Sequence, residues 1–131
     1  MPRPIDRERS LEELERDFRP PPPAGASRLV AAAHVLRRRP VGELTVEDMR
    51  LLIGQNDGLA HLLPLALEVL RDDPMAEGDM YEGDLLSAVV TRSPAVWKDW
   101  PELGRELVVI VSGLTDPPPL LMQGIARFLS R

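Results

Sequence analysis

Cysteine is absent from this chain, which removes disulfides, thiolate nucleophiles and cysteine-ligated metals from consideration and suits a reducing cytoplasm. Histidine is nearly absent too. His34 and His61 are the two in the chain, each flanked by apolar residues, and two separated imidazoles make no zinc-ligand pattern. Aromatic residues are only 4% of the sequence, so the core must be built from Leu, Val, Ile, Ala and Met. No apolar run approaches the length of a membrane span, and the opening MPRPIDRERS has no apolar segment resembling a signal peptide. A protein acting in the cytoplasm, without membrane contact and not itself secreted, is expected. Glycine-rich phosphate loops, nucleophile elbows and triad signatures are missing as well, so a non-enzymatic role is favoured and no cofactor is expected.

What is present is an apolar, acidic chain long enough for one core. At 131 residues it fits a single domain without covalent staples. The net charge of −5 argues against general nucleic-acid affinity, which depends on phosphate neutralisation. Charge of opposite sign is segregated. Between Glu43 and Asp84 there are eleven acids and two bases, Arg50 and Arg71, while Arg37, Arg38 and Arg39 form a basic triplet outside that region. An acidic middle points to a basic partner.

The stretch Gly58–Arg71 holds Leu59, Leu62, Leu63, Leu65, Ala66, Leu67, Val69 and Leu70 and leaves almost no polar face. A helix apolar nearly all round belongs inside a core, with other helices on every side. Pro64 lies within it and predicts a kink or break near His61 to Leu63. Directly after this hub comes an acidic connector, Asp72 to Asp84, with Asp72, Asp73, Glu77, Asp79, Glu82 and Asp84 and no base. It lacks the alternating oxygen ligands of an EF-hand, so calcium is disfavoured.

The rest reads as helices. Ser10 and Glu13 form a capping-box pattern at the head of a short helix. Pro20 to Pro23 then forbid helix and central strand, giving an extended arm that serves as a spacer rather than an SH3-type ligand. Ser27 caps a helix ending in the arginine triplet, which reads as a solvated helix end opposing the macrodipole. Thr45 starts another, and Asn56 or Asp57 supplies a cap for the hub. Asp84 caps a helix bearing Leu85, Leu86, Val89 and Val90. Ser93-Pro94 opens a short turn with Trp97 and Trp100, Pro101 begins a helix, and Asp116-Pro117 starts the last one. The run Leu107 to Val111 also fits a strand, although the flanking caps favour a helix. The expected fold is all-α: one compact domain of about six short helices around a buried central helix, an irregular bundle, with residues 1–26 as a short helix plus proline-rich arm and residues 27–131 as the main helical domain.

Several segments in order carry a family resemblance. Ser10-Leu-Glu-Glu-Leu-Glu, His34-Val-Leu-Arg with Pro40 downstream, Leu44-Thr-Val-Glu-Asp-Met-Arg-Leu-Leu-Ile-Gly-Gln-Asn56, Pro64-Leu-Ala-Leu-Glu-Val-Leu70, Asp73-Pro-Met and Glu77-Gly-Asp-Met-Tyr-Glu-Gly-Asp-Leu-Leu86 together resemble the immunity proteins of bacterial contact-dependent growth inhibition (CDI) systems. The proline run after Phe18 departs from that pattern. The resemblance implies a cytoplasmic antitoxin, monomeric by default, that covers the active or substrate-binding surface of a delivered toxin domain, commonly a nuclease. An acidic inhibitor complements a basic nuclease surface. The residues expected to meet the partner are Asp72, Asp73, Glu77, Asp79, Tyr81, Glu82 and Asp84, with Tyr81 as an anchor. The competing class is a helical adaptor that binds a partner helix in an apolar groove.

Overall fold

A computed structural model of the chain describes residues 6–130; the expectation of no leader at the extreme N-terminus falls partly on residues 1–5, outside that range. Among the described residues there are eight α-helices and no strands: α1 (Leu11–Glu15), α2 (Arg28–Leu36), α3 (Val46–Gly54), α4 (Leu59–Asp72), α5 (Asp84–Val90), α6 (Pro94–Asp99), α7 (Pro101–Ser112) and α8 (Pro119–Leu129), with one 3₁₀ turn at Val41–Glu43. The architecture is therefore all-α as expected. The short helix expected at Ser10 is present, and Ser93-Pro94, expected to open a short turn, starts a short helix of its own. Leu107 to Val111 is helical, within α7.

The hub is α4. Leu62, Leu63, Leu65, Ala66, Leu67 and Leu70 are buried, and α3, α5 and α7 all pack against it. Its polar residues Glu68 and Arg71 lie at the surface. Around this centre α3 lies along α5, α8 covers α5, α2 leans on α3 and α6 on α7. The aliphatic core gains one aromatic contact, Trp97 against Phe128, edge to face with centroids 5.3 Å apart, a geometry that sets the positive ring edge on the negative ring face. No helix among the described residues is long and apolar enough to cross a membrane.

Pro64 does not break α4, which continues from Leu59 to Asp72. The reason is its position. As the sixth residue it deprives only the Ala60 carbonyl of an intrahelical donor, and Ala60 is exposed to water. Three other boundaries shift. The hub is capped by Gly58 in the left-handed region, without a side-chain bond from Asn56 or Asp57. Gly83, not Asp84, occupies the cap of α5, and Asp84 is its first helical residue. The last helix starts at Pro119 rather than at Asp116-Pro117, because a residue followed by proline is pushed out of the helical region. Pro117 and Pro118 both precede a proline, so the helix can begin only at the third.

The N-terminal residues are stitched to the turn after α2. The Val41 and Gly42 amides donate to the carbonyls of Arg9 and Arg7, each at 2.9 Å, and the Glu12 amide donates to the Arg37 carbonyl at 3.1 Å. Leu11 on α1 is fully buried. The α1 helix thus contributes to the same core as the rest, and only the proline stretch beyond it runs largely over the surface.

Candidate partner interface

The connector between α4 and α5, residues 73–83, carries backbone amides that need acceptors outside any helix ladder. Two carboxylates provide them. Asp84, only 2% exposed, accepts from the Gly78 amide at 2.6 Å through Oδ1 and from the Met80 and Tyr81 amides at 3.0 and 3.3 Å through Oδ2. Glu47, on α3, accepts from the Asp79 amide at 2.9 Å. Four consecutive amides are therefore satisfied by two side chains reaching the loop from the helices on either side. Gly78 has to be small here, since a Cβ would fall 2.6 Å from Glu47 Oε1 and 3.1 Å from Asp84 Oδ2.

Arg50 completes the arrangement. Its guanidinium makes two 2.6 Å bonds to Glu47, Nε to Oε1 and Nη2 to Oε2, the fork-on-fork geometry that strengthens such pairs. Its Nε is 3.8 Å from Asp84 Oδ2. The Arg50 hydrogen bonds hold the Glu47 carboxyl below the ordinary carboxylate range, with the Asp79 amide adding to the effect against a desolvation cost. Glu47 in turn raises the Arg50 pKa.

The loop-facing side chains separate into two groups. Asp72, Asp73, Glu77, Asp79, Tyr81 and Glu82 lie at the surface, and Tyr81 ties its hydroxyl to Ser87 Oγ, donating at 3.1 Å. Asp84 does not join them. It is an internal brace with both oxygens occupied, so the expectation that it faces a partner directly is corrected. The reason is local: a carboxylate at the first turn of a helix favours nearby backbone donors, and the returning loop presents three. Sequence reasoning also missed Met80, which is 65% exposed at the loop tip. The available signal was a long apolar side chain between Asp79 and Tyr81 in an otherwise charged loop.

The arginine triplet divides in the same way. Arg38 and Arg39 are exposed, but Arg37 is 1% exposed, contrary to the reading of the triplet as a solvated helix end. Its Nη1 lies 2.6 Å from Glu15 Oε1 and 2.7 Å from Asp57 Oδ1, and Nη2 donates to the Asp17 carbonyl at 3.2 Å. Burial lowers its pKa, but the hydrogen bonds and charges of Glu15 and Asp57 together outweigh this and raise it. This node joins α1, α2 and the turn before α4. Asp57, expected to cap the hub, is used here instead.

Among the described residues no group of three or more His, Asp or Glu side chains is placed to hold a metal ion. His34 borders a shallow cleft with Phe18 and Arg38, while His61 lies half-buried on α4. The Asp84 carboxylate accepts from three backbone amides. What the geometry presents is a rim of five exposed carboxylates, from Asp72 at the end of α4 to Glu82, along a loop braced from within.

No curated protein matches the sequence. The family model for CDI immunity proteins matches residues 13–107, a span from α1 into α7 that includes the hub, the braced acidic loop and the buried Arg37. The chain belongs to the family of CDI immunity proteins.

Proposed function

We propose that this protein neutralises a cognate CDI toxin domain in the cytoplasm of the cell that makes both, by binding rather than by catalysis. The observation that carries the class of function is the family match over residues 13–107. The observation that favours a particular face is the exposure of Asp72, Asp73, Glu77, Asp79 and Glu82 on a loop with no base. A toxin domain that handles RNA or DNA presents a basic surface to phosphate, and an exposed acidic rim both complements it and speeds the encounter. In this reading the partner is a basic nuclease domain whose substrate surface is covered, and Asp84 supports the rim from inside.

Two experiments test it. The first co-expresses this chain with the C-terminal domain of the large exported protein encoded beside it. Growth rescue with co-purification supports immunity; a domain that kills regardless and does not bind refutes it. The second reverses charge at Asp79 and Glu82 (Asp79→Lys with Glu82→Lys). Exposed loop charges contribute little to folding, so stability should stay within about 0.5 kcal/mol. Association should slow and lose much of its salt dependence. An unchanged association rate moves the interface away from the loop.

A further inference from the structure

The loop tip contains something charge alone does not explain. Met80 and Tyr81 are 65% and 50% exposed, adjacent, and bordered by Asp79 and Glu82. Neither belongs to the buried core or to the apolar residues packed on it, in contrast to Met75 at the start of the same loop. In a mobile loop such exposure would be unremarkable. Here the amides of Gly78, Asp79, Met80 and Tyr81 all end on Asp84 or Glu47, and Arg50 joins those two carboxylates. The Tyr81 hydroxyl is tethered to Ser87. The chain thus spends two carboxylates, one of them buried, on holding a pair of large apolar side chains out in water.

We infer that Met80, with the Tyr81 ring beside it, is the apolar anchor of this face and seats in an apolar pocket on a basic protein partner. Asp84, Glu47 and Arg50 are the positioning residues that hold it. The inference rests on the reading of this loop as the toxin-facing surface, and it adds which side chains carry the lifetime of the complex. The partner's chemistry follows from the border: carboxylates on both sides of the anchor demand cations around the pocket. Affinity in such a surface concentrates in a few buried apolar anchors, with rim charges acting mainly on encounter. An unbranched thioether suits an irregular pocket. Because the loop is already ordered, little conformational entropy is lost on docking.

The division of labour is testable with the full-length protein and its toxin domain, measuring association and dissociation rates at low and high salt. Met80→Ala should raise the dissociation rate roughly tenfold or more while leaving the association rate and its salt dependence within about twofold. Met80→Leu, which keeps the apolar volume, should recover most of the loss. Asp84→Asn should speed hydrogen exchange at the Gly78 to Tyr81 amides and should shrink the effect of Met80→Ala when the two are combined; Glu47→Gln replaces it if Asp84→Asn does not fold. An unchanged dissociation rate in Met80→Ala, with association still slowed by Asp79→Lys and Glu82→Lys, overturns the anchor and leaves the acidic face standing. If neither set changes a rate, both are overturned.

Discussion

Arg37 gives the sharpest test of how the fold is held. Replacing it with methionine keeps an unbranched stem of similar reach and removes the guanidinium. Three carboxylates then lose a partner: Glu15, Asp57 and, at 3.8 Å, Asp17. Glu15, with its side chain 28% exposed, can turn to water, and Arg19 still reaches Asp57 Oδ2 at 3.3 Å. Among the described residues no side chain other than that of Arg37 donates to Asp57 Oδ1 or to the Asp17 carbonyl. Breaking a buried ion pair by removing one member costs about 3–5 kcal/mol. The escape of Glu15 and the rescue by Arg19 place this case at the lower end, about 3 kcal/mol. Against a total stability of about 5–15 kcal/mol that is a large fraction. It should appear as a fall of about 1–2 M in the urea midpoint at unchanged m and about 10 °C in Tm. Arg38→Met and Arg39→Met, both at the surface, should stay within about 0.5 kcal/mol. Adding Asp57→Asn to Arg37→Met should recover part of the loss, because the stranded charge goes with it. A stability for Arg37→Met within about 0.5 kcal/mol of the wild type would refute the buried node as a structural pin.

Two glycines should respond with opposite sign to the same change. Gly58→Ala forces a side chain into a left-handed φ of 66° and places its Cβ 2.7 Å from buried Leu11 Cδ1, so a loss of about 2 kcal/mol or more is expected in urea melts. Gly54→Ala, at the end of α3 with open space around it, should instead gain about 0.5–1 kcal/mol. The braced loop also predicts a pH dependence. Arg50 and the Asp79 amide hold Glu47 below its ordinary value of 4.5, so its stabilising contribution is present above that value and is lost as the pH falls through the lower folded one. Stability measured from about pH 6 to 3 should therefore fall more steeply for the wild type than for Glu47→Gln. Parallel curves would show that the carboxylate does not hold the loop.

The segregation of surface from brace also bears on how such a protein can change partner. Among the described residues the carboxylates of Asp79 and Glu82 make no hydrogen bond, and Asp79 acts on Arg50 only through its charge, so substitution there should cost little stability and, on the proposed reading, would alter recognition. Asp84, Glu47 and Gly78 have no such freedom, because each is committed to the backbone path of the loop.

Much of this was legible in the sequence because the relevant physics is local. An apolar run with no polar face, closed by an acidic stretch, specifies a buried helix and a solvated connector whatever surrounds them, and the caps at Ser10, Ser27 and Thr45 act within one turn of chain. The all-α class and the hub role of residues 59–72 follow from such short-range rules. The order of motifs from Ser10 to Leu86 was likewise enough to indicate the family. What the sequence could not show is which of several identical residues goes inside. Arg37 and Arg38 are neighbours of the same type, yet helix geometry turns one toward Glu15 and Asp57, residues 22 and 20 positions away, and the other toward water. Asp84 and Glu82 both read as exposed loop acids, and only the return of the chain over the start of α5 converts Asp84 into a buried acceptor for three amides. A charge is buried or solvated according to partners brought from distant positions, so tertiary packing alone decided which acids present a surface and which support it.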